Sequence, residues 1–196
     1  MAARDFNIDR LKTALTDGGA RPSLFEFNLT GVPTQVGTGL NNINLYTQVS
    51  ALPPLTVTPI EKQYFGRTVK IPGDITFGDL TTTIYQTETG AERGAIEGWM
   101  DHINGHVNNV ISREMEGNTG GAWGKYAGTA ELLQYGKDGK LLLKVQFEDC
   151  WPQSISEIAL SYDTASDLEQ FDVTWSYQHY RIYGQSGQVT KFPNIV

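Results

Sequence analysis

The sequence predicts a mainly β protein: a β-barrel or β-sandwich protomer with one flanking α-helix and a short N-terminal helix. Three observations carry this. Residues 167–180, "DLEQFDVTWSYQHY", set apolar Phe171, Val173, Trp175 and Tyr177 between polar Gln170, Asp172, Thr174, Ser176 and Gln178. Successive strand side chains point to opposite sides, so one face of this segment lies over a core and the other meets solvent or another polar surface. Beyond a Lys137-Asp138-Gly139 turn, Leu141, Leu143, Val145 and Phe147 repeat the same period, which marks a hairpin. Burying such side chains contributes about 1.5–3 kcal/mol each before conformational entropy is set against it. Finally, 39% hydrophobic and 19% charged residues with 21 Gly in a chain of 196 suit a β-rich globular protein. Such a chain is too balanced for disorder and long enough for one domain whose core needs no disulfide.

The elements follow from local patterns. Ile8, Leu11 and Leu15 recur at helical spacing and the pattern stops at Gly18-Gly19, predicting an amphipathic helix over about residues 6–17. Phe25, Phe27 and Leu29 alternate with Glu26 and Asn28 as a strand, turn residues fill 31–44, and "NLYTQVSAL" resumes an extended pattern, giving a hairpin with a long loop. Pro53, Pro54 and Pro59 lack amide donors, so residues 52–66 form an edge or a projecting loop rather than a central strand. "RTVKI" and "ITFGDLTTTIYQ" flank Pro72-Gly73-Asp74, which reads as the turn of a second hairpin. The period then changes: Ile96, Trp99, Met100, Ile103 and Val107 predict a helix, followed by a loop over 115–128. Residues 1–183 read as a single domain with 31–44 as a loop insertion, and 184–196 as a polar tail.

Charge and motifs exclude several classes. A net charge of −7 argues against a phosphate-gripping surface, which is built from clustered Lys and Arg. The one cysteine, Cys150, permits neither an intramolecular disulfide nor a cysteine-rich zinc site and fits a reducing cytoplasm. At the end of an apolar strand, it reads as a small buried hydrophobe. Arg4, Asp5, Asp9, Arg10 and Lys12 interrupt any signal peptide, and no segment reaches membrane-spanning length, so no export or anchoring is expected. His102 and His106 have a metal-ligand spacing, but Ile103 stands where a metalloprotease carries its general base, so solvated histidines are expected. Gly124-Lys125 is followed by Tyr126 where a Walker loop needs Ser or Thr. Asn28-Leu29-Thr30 is a glycosylation acceptor in form only. Carboxylates show no spacing that singles out a catalytic pair. No catalytic residue, metal or cofactor is expected.

Three stretches in this order and spacing, "ARPSLFEFNL", "ALPPLTVTPIEKQYFGRTVKIPGDITFGDLTTTI" and "WPQSISEIALSYDTASDLEQFDVTWSYQHY", resemble the tail tube proteins of T4-like contractile phages. The resemblance implies a structural virion protein, not an enzyme. Homohexameric rings would stack inside a contractile sheath, and the inner sheets of the copies would join into one large barrel around the channel for genome ejection. Its partners would be further copies of itself, the tail sheath protein, the tape measure protein, and baseplate and tail terminator proteins. Genomic DNA would pass without tight binding, no membrane would be involved, and assembly would take place in the host cytoplasm. The polar residues Thr81, Thr83, Asp172, Thr174 and Ser176 would then line the channel or meet another subunit, while Phe171, Val173, Trp175 and Tyr177 pack the core. An acidic chain suits a conduit, because Lys and Arg clusters would pin phosphates. The proline-bearing loop, with Pro53, Pro54, Pro59, Tyr64 and Phe65, is the expected contact between subunits or rings, assisted by the N-terminal helix and C-terminal tail. Stretches 31–44 and 184–196 exceed the compact family pattern and would decorate the ring or adjust docking to the sheath. The rival expectations are a baseplate tube-initiation protein, an inner-tube protein of a related injection system, and a monomeric β-sandwich enzyme or binding domain.

Overall fold

The computed structural model describes residues 8–14, 19–33, 36, 39–107, 126–158, 160–161 and 167–184. Two sheets share one long strand. In the first sheet, β6 (Gly128–Tyr135) lies between β1 (Phe25–Thr30) and the first half of β7 (Leu141–Ile155), whose other side carries β9 (His179–Tyr183). In the second, the latter half of β7 pairs with β8 (Gln170–Ser176), then come β5 (Leu80–Tyr85) and β2 (Thr47–Ser50). All these pairings are antiparallel. The strand changes sheets at Asp149, whose φ of 54° is left-handed, a conformation Asp tolerates better than most residues. Cys150 follows at once and is fully buried.

The core lies between the sheets. Phe27, Val145, Phe147, Phe171, Val173 and Trp175 point into it, as the alternation along residues 171–175 predicts. Helix α3 (Ala91–Ile103) closes one end, burying Ala95, Ile96 and Trp99. The Trp99 ring stands 5.9 Å from that of Trp175, which stands 6.0 Å from Phe27. Three polar groups buried beside this core are paired, which offsets their desolvation. Trp99 Nε1 donates to the Tyr126 carbonyl at 2.7 Å, and Trp175 Nε1 donates to Thr82 Oγ1 at 2.9 Å. The buried Glu92 carboxylate accepts from the Thr87 amide at 3.1 Å and hydroxyl at 2.8 Å, fastening the start of α3 to the end of β5.

Several local expectations are corrected. Residues 67–77 contain no turn at Pro72-Gly73-Asp74. They form one strand, β4 (Arg67–Phe77), paired with β3 (Leu55–Tyr64) in a separate hairpin that reverses at Phe65-Gly66, where φ is 43° and 77°. Pro72 stands opposite Pro59, so two residues without amide donors face each other. A Cβ on Gly73 would come within 2.5 Å of the Thr58 carbonyl, so only glycine lets β3 and β4 approach there. The extended segment expected from residue 44 begins with a helical turn, α2 (Ile43–Tyr46), and turns to strand only at Thr47. The alternation through residue 180 is two strands, not one: β8 ends at Ser176, and a corner at Tyr177-Gln178 sends β9 onto the other sheet. Helix α3 stops at Ile103, so Val107 lies beyond it and is 93% exposed.

The 31–44 stretch, expected as a loop insertion, contributes to the core as well. Val36, Leu40 and Ile43 are buried in the core, and a Cβ on Gly39 would stand 2.5 Å from the Ala91 carbonyl, so this loop packs directly on α3. A short helix, α1 (Ile8–Ala14), stands within the predicted N-terminal helix; residues 6–7 and 15–17 of that prediction, most of the 115–128 loop and the tail from 185 onward lie outside the described residues.

Candidate functional site

Two surfaces stand out, and neither is a catalytic cleft. The first is the outer face of the second sheet. Thr81 pairs with Thr174 and Thr83 with Asp172, and paired residues share a face. Leu80, Thr82 and Ile84 point the other way, into the core with Phe171, Val173 and Trp175. Ser176 lies opposite Trp151, and Ser154 opposite Thr174. The five polar residues singled out in the sequence therefore lie on one surface, joined by Tyr85, Gln170, Trp151 and Ser154, which only strand register reveals. Thr83 Oγ1 donates to Asp172 Oδ1 at 2.6 Å. This surface is mostly hydroxyl and amide, with its carboxylate held by a neighbour.

The first sheet has a different outer face. Lys144 pairs with Glu131 at 2.8 Å, and Glu148 takes His179 and Arg181 at 3.0 Å each. Glu26 accepts from Asn44 Nδ2 at 3.0 Å and from the Tyr135 hydroxyl at 2.8 Å. The Asn44 bond, then the Tyr135 bond, hold its carboxyl below the ordinary 4.5, and the same contact raises the Tyr135 phenol. One sheet thus carries interlocked charges and the other a nearly neutral face. Among the described residues the neutral sheet also keeps two open edges, β2 and the latter half of β7, each paired on one side only.

The second surface is the β3–β4 hairpin. The residues predicted as a contact loop are spread along it rather than gathered. Pro53 and Pro54 form its neck, where Gly78 N donates to the Pro54 carbonyl at 2.9 Å. Pro59 lies mid-strand, and Tyr64 and Phe65 occupy the tip, 67% and 92% exposed, with their rings 4.7 Å apart. Sequence reading missed the larger part of this surface: Leu55, Val57, Ile60, Val69, Ile71 and Ile75 are all exposed. A β-bulge at Gly73-Asp74 adds one residue to β4, so the apolar pairs change sides. Near the neck, Leu55–Phe77 and Val57–Ile75 share one face; toward the tip, Ile60–Ile71, Lys62–Val69 and Tyr64–Arg67 share the opposite face.

At the base, Phe77 packs edge-on against Tyr177 and Tyr180, with centroids 6.2 and 5.5 Å away, and Phe147 lies 5.0 Å from Tyr177. Tyr177 is thus half-buried at the hairpin root rather than inside the barrel. Its hydroxyl donates to the Gly78 carbonyl at 2.6 Å, and burial pushes its pKa up to about 12.

Of the remaining motifs, Gly124-Lys125 lies outside the described residues. His106 lies past the end of α3 with Nδ1 3.1 Å from the Asp101 carboxylate. Among the described residues, no group of three or more His, Cys, Asp or Glu is placed to hold a metal, and no helix is long and apolar enough to cross a membrane. Burial pushes the Cys150 thiol pKa well up, the opposite of what a nucleophile requires.

Comparison with known proteins supplies the family. A family model described as phage tail tube protein matches residues 20–183. The tail tube protein gp19 of Enterobacteria phage T4 is 26% identical over 175 residues, covering 88% of this chain and 98% of its own length, and that of phage T6 aligns equally well. Among solved structures, the tube-terminating cap of the anti-feeding prophage has a TM-score of 0.60 at 13% identity, over 94% of this chain and 99% of its own. A chain of the extended sheath–tube complex of the extracellular contractile injection system PVC has a TM-score of 0.55 at 12% identity, over 88% of this chain and 97% of its own. These two likenesses bear on the fold, and the mainly β architecture agrees with them. The match over residues 20–183 decides the family: this chain belongs to the phage tail tube proteins and is a structural tube subunit.

Proposed function

We propose that this chain builds the inner tube of a contractile phage tail, as stacked homohexameric rings whose bore conducts the genome, and that it does so without catalytic turnover or a cofactor. The observation that carries this is the second sheet: a neutral polar face over a buried core, ending in two open edges. An exposed edge is a template for pairing with another chain. Its strands alternate in direction across β2, β5, β8 and β7, so β2 and β7 run oppositely, and under ring rotation one copy's β2 meets the next copy's β7 antiparallel. A ring closed in this way leaves no free edge in the second sheet. The polar face with Thr81, Thr83, Asp172, Thr174 and Ser176 then lines the bore, where sparse cationic charge avoids pinning phosphates. The interlocked charges of the first sheet turn outward toward the sheath protein. The hairpin, from Pro53 and Pro54 through Pro59 to Tyr64 and Phe65, contacts neighbouring copies. Tape measure, baseplate and terminator proteins act as partners, and assembly takes place in the host cytoplasm.

The test is electron microscopy of the purified chain across a concentration series. Six-fold rings and hollow tubes of growing length support the proposal. Rings that never stack favour a baseplate tube-initiation role, and a monomer at every concentration overturns the proposal.

A further inference from the structure

Given that the hairpin is a contact between copies, we propose that its outer half docks into the groove between residues 156–158 and 167–172 of the next copy along the tube. The bulge separates the two halves of the hairpin. The neck half is continuous with its own protomer through Phe77, Tyr177 and Tyr180, whereas the outer half presents its apolar residues on the opposite face and, among the described residues, makes no ring contact with the barrel. An amphipathic two-stranded ribbon is marginal in water, so its apolar face needs a cover.

Charge identifies the cover. Between Pro59 and Pro72 stand Lys62, Arg67 and Lys70 against Glu61, a cationic excess within a chain of net charge −7. Glu61 and Lys70 pair at 3.2 Å on the polar face. Lys62 and Arg67 share the apolar face with Ile60, Val69 and Ile71, and neither makes an ion pair among the described residues. The groove is complementary in both respects. It measures about 350 Å³ and combines the apolar Ile158 and Leu168 with Glu157, Asp167, Glu169 and Asp172. Leu168 is 71% exposed. Glu169 accepts from Gln86 at 3.3 Å and Asp172 from Thr83 at 2.6 Å, while Glu157 and Asp167 make no ion pair among the described residues. Arg93 donates to the Ser156 carbonyl at 3.0 Å and stands 5.7 Å over the Phe171 ring, but its charge is offset by Glu97 at 2.8 Å, so the groove keeps its excess of carboxylates.

Topology places the two surfaces for head-to-tail contact. The hairpin runs straight into the start of β5 at Leu80, and Tyr85 at the other end of β5 pairs with Gln170 in the groove wall. Hairpin and groove therefore sit at opposite ends of the same sheet, about 20 Å apart along β5. A contact between unlike ends of identical subunits does not close on itself and propagates as a filament. Ring closure through strand edges and ring stacking through hairpin and groove are then separate interfaces.

The experiment measures the critical concentration for tube growth of the full chain by sedimentation and electron microscopy, with the melting temperature of each unassembled variant alongside. Reversing the hairpin charges (Lys62→Glu with Arg67→Glu) or the groove charges (Glu157→Lys with Asp167→Lys) is expected to raise the critical concentration about tenfold while single rings still form. Carrying both reversals in one chain is expected to restore growth. Unchanged growth in the single reversals, or no recovery in the combined chain, overturns the assignment of the groove. Ile60→Asp with Ile71→Asp separates the two levels. If this variant blocks growth while charge reversal does not, the hairpin is a contact but the groove is not its site; if it grows as wild type, the hairpin is not a contact at all. Should a reversed chain melt lower, neutral Lys62→Gln with Arg67→Gln replaces it, with a smaller rise expected and unchanged growth again overturning the assignment.

Discussion

Trp175 and Thr82 show how one residue pair holds the sheet in register. The indole N–H and the threonine hydroxyl are both buried, and each is the other's partner. Thr82→Val keeps the shape but strands the indole donor, so a loss of about 1–3 kcal/mol is expected by urea unfolding. Adding Trp175→Phe should cost less than the sum of the two single changes, because the partner is already gone. Glu26 gives a pH signature. Its folded pKa is depressed by Asn44 and Tyr135, so its stabilising contribution is present above the ordinary carboxylate value and lost as pH falls through the folded one. Melting temperatures followed downward from neutral pH should drop more steeply for wild type than for Glu26→Gln. The apolar set Phe171, Val173 and Trp175 was legible because strand alternation is a local property. The partners of Glu26 were not, since Tyr135 and Asn44 reach it only through pairing with β6 and the packing of α2.

Among the elements, the hairpin shows where local signals fail. Pro72-Gly73-Asp74 has the composition of a turn, and Pro59 argues against a central strand. The second inference held in that β3 is a strand of a projecting two-stranded ribbon. The first failed because the pairing of Pro72 with Pro59 and the close approach of Gly73 to the Thr58 carbonyl override local turn preference. Gly73 is what permits this: Gly73→Ala would drive a methyl toward the Thr58 carbonyl. Hydrogen exchange should accelerate along residues 55–77 in that variant while the barrel strands keep their protection. Stretch 31–44 misled in the opposite direction. Its glycines and asparagines read as an insertion, yet the isolated apolar residues Val36, Leu40 and Ile43 fill the core, and periodicity methods do not register single apolar residues in a polar loop.

For the whole molecule, the contrast between the two outer faces matters more than net charge. Net charge suggested an acidic conduit. The fold distributes that charge unevenly, with ion pairs outside the first sheet and hydroxyls outside the second. Placing lysines at the facing positions Thr81 and Thr174 should leave tube formation intact but cause tubes to retain duplex DNA at low salt and release it at high salt, read by filter retention. Phage carrying this tube should form fewer plaques. If the lysine-bearing tubes do not retain DNA, this face does not line the bore. The family itself was legible from three sequence blocks, but the two outer faces and the open edges arise from register, which a single sequence does not display.

The sulfur at the point where β7 passes from one sheet to the other also serves as a timer. Cys150 is the chain's one thiol, fully buried, so an aromatic disulfide reagent reaches it only when the two sheets part. Its labelling rate therefore reports how often the barrel opens. In free protomers the rate should follow unfolding under denaturant. Within a tube it should slow as neighbours hold the strand edges, giving a spectrophotometric clock for assembly with no added probe.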